Sequence, residues 1–155
     1  LDFDNLGPTI LYSIAGKTPP EGDAYILPQY ERYRSGVKTI FSTMTFADNP
    51  LSRFPKGVKK EFEENHRLHW ITNAIEEKHQ PIFHLLNSQI GHKIQRIESD
   101  IIIKALLLAM GEDIPALPVH DALLFPKSKK EEGIRIMTTA FKEVTGAEGA
   151  IKEEL

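Results

Sequence analysis

At 155 residues, 41% hydrophobic and 26% charged, the chain is long enough for one domain to fold on a hydrophobic core without a metal or disulfide staple. The absence of cysteine excludes a disulfide framework, a thiolate zinc site, an iron–sulfur cluster and a cysteine nucleophile, so metal chemistry falls to carboxylates and histidines. A formal charge of -3 argues against a uniformly basic grip on nucleic acid and leaves room for a local basic stripe.

Leu1-Asp2-Phe3-Asp4 has the pattern of a strand interior, and the expectation is a piece cut from a longer polypeptide. Ile10, Leu11, Ile14 and Ala15 recur at helical spacing, giving strand, tight turn and helix before the turn cluster Gly16–Gly22. From Pro28 to Phe46 the residues Tyr30, Tyr33, Val37, Ile40, Phe41 and Met44 predict one amphipathic helix, with Arg32, Arg34 and Lys38 along its flank. Asp48-Asn49-Pro50 stops it, and a polar helix is expected over Val58–Glu77.

Pro81 fits the first turn of a further helix through Phe83, Leu86 and Ile90, with a kink or break at Gly91. Ile94–Met110 is apolar on most faces and predicts a helix buried in the core. It is too short and too interrupted, by Lys104, to span a bilayer; with no signal peptide evident, a soluble cytoplasmic protein with no membrane partner is expected. Two apolar runs, Ile114–Val119 and Ala122–Pro126, flank His120-Asp121 and predict a β-hairpin with that pair at its tip. A final helix from near Ser128 to Gly146 precedes a polar, loosely ordered tail over 147–155. Strands near both ends with helices between them indicate an α+β domain with a small antiparallel sheet.

Three constellations carry possible chemistry. Asp2 and Asp121 each follow or split apolar strand residues, and neighbouring strands would join them as an oxygen-ligand pair for Mg²⁺; Asp121 also suits a plain turn. Arg34 and Lys38, four apart on one helix face with Phe46 beyond, would clamp a polyphosphate, or simply form a solvated flank. Gln95 to Asp100 places polar groups at the start of the most apolar helix, where capping and core hydrogen bonds are the plain alternative.

Taken in order, strand-Asp, R-x-x-x-K with an aromatic eight residues on, Q-x-x-x-x-D-I-I and strand-His-Asp-strand, the sequence resembles the palm and fingers of family A polymerases, over roughly Leu1 to Glu143. That family includes bacterial DNA polymerase I types and single-subunit phage and mitochondrial RNA polymerases. The resemblance implies a palm-like domain over 1–146, with a small antiparallel sheet and His-Asp hairpin, compressed fingers at about 22–80 and no thumb. It implies a template-directed DNA or RNA polymerase using two Mg²⁺ ions, with Mn²⁺ as a substitute, acting on nucleoside triphosphates and primer–template or template nucleic acid. It further implies a place within a larger polymerase and a phage-like replication setting, in which case the location is the host cytoplasm.

By the resemblance Asp2 and Asp121 bind the ions, with the Phe3 carbonyl a further ligand. Arg34 and Lys38 hold the triphosphate, and Lys38 protonates the departing pyrophosphate. Phe46 stacks near the new base pair, Gln95 touches the duplex, and His120 bonds near the primer end. Tyr25, in Asp23-Ala24-Tyr25, stands where an Asp-x-His element of the fingers has its histidine. Gly7 replaces the glutamate that crowds a ribose 2′-hydroxyl in the DNA enzymes, while Phe46 lacks the hydroxyl by which RNA enzymes favour ribose. Weak sugar discrimination is the expectation. Two other classes compete: a metal hydrolase built on His66-x-x-His69, with His79, His84, His92 and His120 as further imidazoles, and a non-catalytic nucleic-acid-binding or assembly module.

Overall fold

The computed structural model describes residues 1–153. It is an α+β chain with two small antiparallel sheets, and it divides into two compact units, one of Leu1–Gly16 with Lys93–Leu155 and the other of Lys17–His92.

The first unit holds the strands. β1 (Asp2–Phe3) pairs antiparallel with β4 (Ile151–Lys152), Asp2 opposite Lys152 and Phe3 opposite Ile151. β2 (Leu117–Val119) and β3 (Ala122–Leu124) form a second antiparallel pair, joined by His120 and Asp121. Leu1 exchanges two backbone hydrogen bonds with Leu123, each 2.9 Å, so β1 lies against β3 as well as β4. After β1 the backbone turns through Asn5, held left-handed at φ 49°, into α1 (Leu6–Ala15), which stops at Gly16, φ 65°. Asparagine and glycine are the residues that adopt this conformation at least cost.

α5 (Lys130–Thr145) ends in the same way at Gly146, φ 74°. It buries Ile136, Met137, Ala140 and Phe141, and Phe3 sets its ring 5.7 Å from that of Phe141. With Ile10, Leu11, Ile101, Ala105 and Leu123 these side chains make the core of this unit. Burial of each large apolar side chain contributes roughly 1.5–3 kcal/mol.

Two expectations for this unit are corrected. The 147–155 tail is not a loose polar end: Ile151 and Lys152 form β4, and residues 154 and 155 lie outside those described. The long helix α4 (Gly91–Gly111) is not buried on most faces. Ile101, Ala105 and Ala109 are enclosed, while Ile103, Leu107 and Met110 are 53%, 55% and 69% exposed. Apolar composition set the expectation, but a helix buries only the stripe that another element covers.

The second unit is helical. α2 (Arg34–Phe46) and α3 (Leu68–Lys78) enclose Leu27, Val37, Ile40, Phe41, Met44, Ile71, Ile75 and Ile82. The single helix expected from Pro28 begins only after a 3₁₀ turn at Glu31–Tyr33, because Gln29 is left-handed at φ 70° with its N–H donating to the Glu31 carboxylate. The polar helix expected over Val58–Glu77 is likewise cut down to a 3₁₀ turn at Lys59–Glu61 and α3. Between them Lys59 Nζ donates to the carbonyls of Glu63, Glu64 and His66, which fixes a loop where periodicity promised a helix.

After Pro81 the chain is 3₁₀ over Gln80–Leu85 and then irregular, with Asn87 and Gln89 at positive φ. Their N–H groups bond instead to the carbonyls of Met44 and Ala47 at the end of α2. Gly91 opens α4 rather than kinking a helix, and a Cβ there would come within 2.6 Å of the Phe46 ring.

Candidate active site

The first unit holds the carboxylates Asp2, Glu98 and Asp121. The Leu1–Leu123 pairing sets Asp2 on a strand beside the one that Asp121 introduces, and the charge of Asp121 bears on Asp2. Asp2 is nearly enclosed, its side chain 12% exposed. One carboxylate oxygen accepts the Phe3 N–H at 2.8 Å and the other faces Lys152 Nζ at 3.3 Å. Burial raises the Asp2 carboxyl above its ordinary range; Lys152 and the Phe3 N–H pull it down, the negative charge of Asp121 pushes it up, and the net direction is upward.

Asp121 also acts on a third carboxylate. Glu98, on α4, is raised first by burial and then by the charge of Asp121. Glu98, Gln95, His120 and Asp121 share the lining of an open concavity of about 380 Å³. His120 holds a positive φ of 55°, a conformation that costs a non-glycine residue about 1–2 kcal/mol. The pairing of Val119 with Ala122 closes the hairpin on a two-residue connection, with His120 and Asp121 at its end.

Sequence-predicted residues of this unit thus come together in part: Asp2, Phe3, Asp121, His120 and Gln95 all lie there, with Gly7 in α1. A Cβ built on Gly7 meets nothing within 4 Å. Two residues carry no role in the sequence reading. Glu98 lies within the Gln95–Asp100 run, three after Gln95 on the same helix face, a spacing that was legible; Lys152 reaches Asp2 through a strand pairing across the whole chain, which left no local signal.

In the second unit the R-x-x-x-K pair surrounds one aromatic ring. Arg34 Cζ lies 5.5 Å and Lys38 Nζ 5.9 Å from the centroid of Tyr25, whose ring meets Phe41 edge-on. Arg34 Nε donates to Asp23 Oδ2 at 2.6 Å, and Asp23 also accepts the Tyr25 N–H. Burial pushes Asp23 up, but the Tyr25 N–H, the Arg34 hydrogen bond and the charges of Arg34 and Lys78 outweigh it, so its carboxyl sits below the ordinary range. Phe46, 40% exposed, packs across Gly91 and edge-on to His92.

Of the histidines, His66 and His69 both bracket Trp70 edge-on, and His79 is wholly buried with its Nε2–H donating to the Ala24 carbonyl. Among the described residues no three or more His, Asp or Glu side chains are gathered so as to hold a metal ion. No described helix is long and apolar enough to cross a membrane. No protein-family model matches the chain, and neither curated proteins nor solved structures supply a match.

Proposed function

We propose that the chain is the core of a template-directed nucleotidyltransferase, a family A-like DNA or RNA polymerase in which Asp2 and Asp121 are the essential carboxylates. The observation that carries this reading is the Leu1–Leu123 backbone pairing, which sets Asp2, held nearly out of solvent, on a strand beside the one that follows Asp121. Like charges so placed weaken the fold unless a cation joins them, and such arrangements recur where chemistry requires them.

By donor type the pair would suit a hard divalent cation, Mg²⁺ or Mn²⁺, with the Phe3 carbonyl as a further ligand. Two aspartates fall short of a three-carboxylate cluster, so substrate phosphate oxygens and water would supply the remaining positions. The bound ions would stabilise charge on the attacking and leaving oxygens of a phosphoryl transfer.

The chain's own residues then have separate tasks. Asp2 and Asp121 would orient the primer 3′-hydroxyl towards the α-phosphate; the hydroxyl gives its proton to solvent water as the new P–O bond forms and the bond to pyrophosphate breaks, and Lys38 gives the departing pyrophosphate a proton. Arg34 holds the triphosphate after exchanging Asp23 for phosphate, while Gln95 and His120 bear on the duplex and the primer end. Gly7 and Phe46 leave the sugar weakly discriminated.

Extension of a labelled primer on a template, with ribo- and deoxyribonucleoside triphosphates and Mg²⁺ or Mn²⁺, tests the reading. Extension that Asp2→Asn and Asp121→Asn each abolish is the expected result. Primer–template binding without extension under every metal condition overturns it in favour of a non-catalytic module. The Lys152–Asp2 and Arg34–Asp23 ion pairs are what favour that second reading, since each already satisfies a residue that catalysis would have to free.

A further inference from the structure

The second unit carries a cavity that the proposed chemistry does not use. It has a volume of about 700 Å³, within the range of small-ligand sites, and lies between one face of α3 and the 26–31 loop. Trp70, Asn73, Ala74 and Glu77 fall at helical spacings of three and four and present that face; Ile26 and Tyr30 stand on the opposite wall. Ile26 is 41% and Trp70 39% exposed, so apolar and indole surface that ordinarily lies in a core opens here.

The walls are braced before any ligand arrives. Lys78 Nζ donates to the carbonyls of Asp23 and Ile26, at 2.6 and 2.7 Å, and pins the loop to α3. Gln29 is held left-handed, its N–H on the Glu31 carboxylate at 3.0 Å. His66 packs edge-on to both Tyr30 and Trp70, centroids 5.4 and 6.4 Å away, and so fixes the two rings.

Charge selects the ligand. Glu31 and Glu77 line the cavity against the single cation Lys78, and that cation is already turned to two loop carbonyls. Phosphate or carboxylate would meet repulsion. A cation with a flat apolar face gains from the indole and phenol rings and from the Glu77 carboxylate together, and a guanidinium combines planarity, stacking and several N–H donors.

We propose that this cavity binds the guanidinium side chain of arginine, stacked on Trp70 and bonded to Glu77 and the Asn73 amide oxygen. The arginine is either free or part of a peptide, and the proposal holds whether or not the chain is a polymerase.

Trp70 is the chain's one tryptophan, so its fluorescence reports the site directly. Titration with N-acetyl-arginine amide should change Trp70 emission saturably and move the Asn73 side-chain amide resonance. The neutral isostere N-acetyl-citrulline amide should bind at least about tenfold more weakly, the ratio for a loss of about 1.4 kcal/mol. Glu77→Gln should weaken the arginine compound by a similar factor at an unchanged melting temperature, whereas Glu76→Gln should not.

Equal responses to citrulline and arginine, no saturation with the arginine compound, or tighter binding of adenosine monophosphate each overturn the proposal. An arginine-centred tripeptide run beside free arginine separates the two sources. Tighter binding of the tripeptide supports the peptide form and tighter binding of the amino acid supports the free form.

Discussion

Leu1 and Leu123 exchange both backbone hydrogen bonds at 2.9 Å, and this one pairing brings the strand of Asp2 beside the strand that follows Asp121. Asp2→Asn keeps an oxygen for the Phe3 N–H and removes the repulsion from Asp121, while it loses the ion pair with Lys152. On the polymerase reading, primer extension should disappear while the thermal midpoint stays level or rises. A fall in midpoint equivalent to more than about 2 kcal/mol would mark Asp2 as a structural residue and would falsify its assignment to the site.

Lys152 offsets the burial of Asp2. Asp2 has a raised folded pKa, so above its ordinary value of 3.8 the native state holds the proton more tightly than the unfolded chain. Its contribution to stability therefore falls as pH rises from there through the folded value. Lys152→Gln should push that value higher and extend the loss towards neutral pH. Denaturant melts from pH 3 to 8 would show it, and parallel pH profiles for the two proteins would count against the coupling.

His79 titrates in the opposite sense. Burial first, then the neighbouring charge of Lys78, hold its pKa below the ordinary 6.5, against the hydrogen bond to Ala24. The unfolded chain then binds more protons, and stability is lost as pH falls through 6.5 and below. His79→Gln, which removes the titrating ring, should flatten that acid limb while costing about 1–3 kcal/mol at pH 8 through lost packing and hydrogen bonding. A wild-type midpoint unchanged between pH 7.5 and 5.5 would exclude the effect.

Gly36 is fixed by its neighbour. A Cβ at this position would stand 2.5 Å from the Phe62 ring, which is itself buried. Gly36→Ala should cost about 1–3 kcal/mol by overpacking, and Gly36→Ala with Phe62→Leu should recover part of it. Equilibrium denaturation of the single and double variants gives the coupling directly.

At Gly7 the surroundings are open instead, so Gly7→Glu should fold normally. On the polymerase reading it should shift incorporation from ribo- towards deoxyribonucleotides by at least about tenfold, a preference of about 1.4 kcal/mol. Single-nucleotide incorporation rates for both sugars measure this, and an unchanged ratio would remove Gly7 from sugar selection.

Local chemistry made much of this legible. The Asp2 strand, the turn and α1, α2 with its Arg34 and Lys38, the paired runs around His120-Asp121, and α5 ending at Gly146 all rest on spacing, turn residues or a helix stop. What periodicity could not foresee was long-range. Lys59 converts an expected helix into a loop by collecting three carbonyls, and the end of α2 draws off the N–H groups of Asn87 and Gln89. β4 depends on partners at the other end of the chain. The pattern of Ile103, Leu107 and Met110 stated hydrophobicity without stating cover. For the candidate site, Asp2 and Asp121 could be named from sequence, whereas Lys152 beside Asp2 and the charge of Asp121 acting on both Asp2 and Glu98 required the fold.

The unit that holds Asp2 is written in two stretches, 1–16 and 93 onward, with the whole of the helical unit between them. During synthesis the intervening stretch can condense as soon as it emerges, while β1 must wait for β3 and then for β4. Pulse-labelled hydrogen exchange during refolding should accordingly protect the amides of Ile40 and Ile75 before those of Phe3 and Leu123. Asp2 and Asp121 therefore meet only after the helical unit between them has emerged, so a chain truncated before Leu123 holds α2 and α3 without that acidic pair.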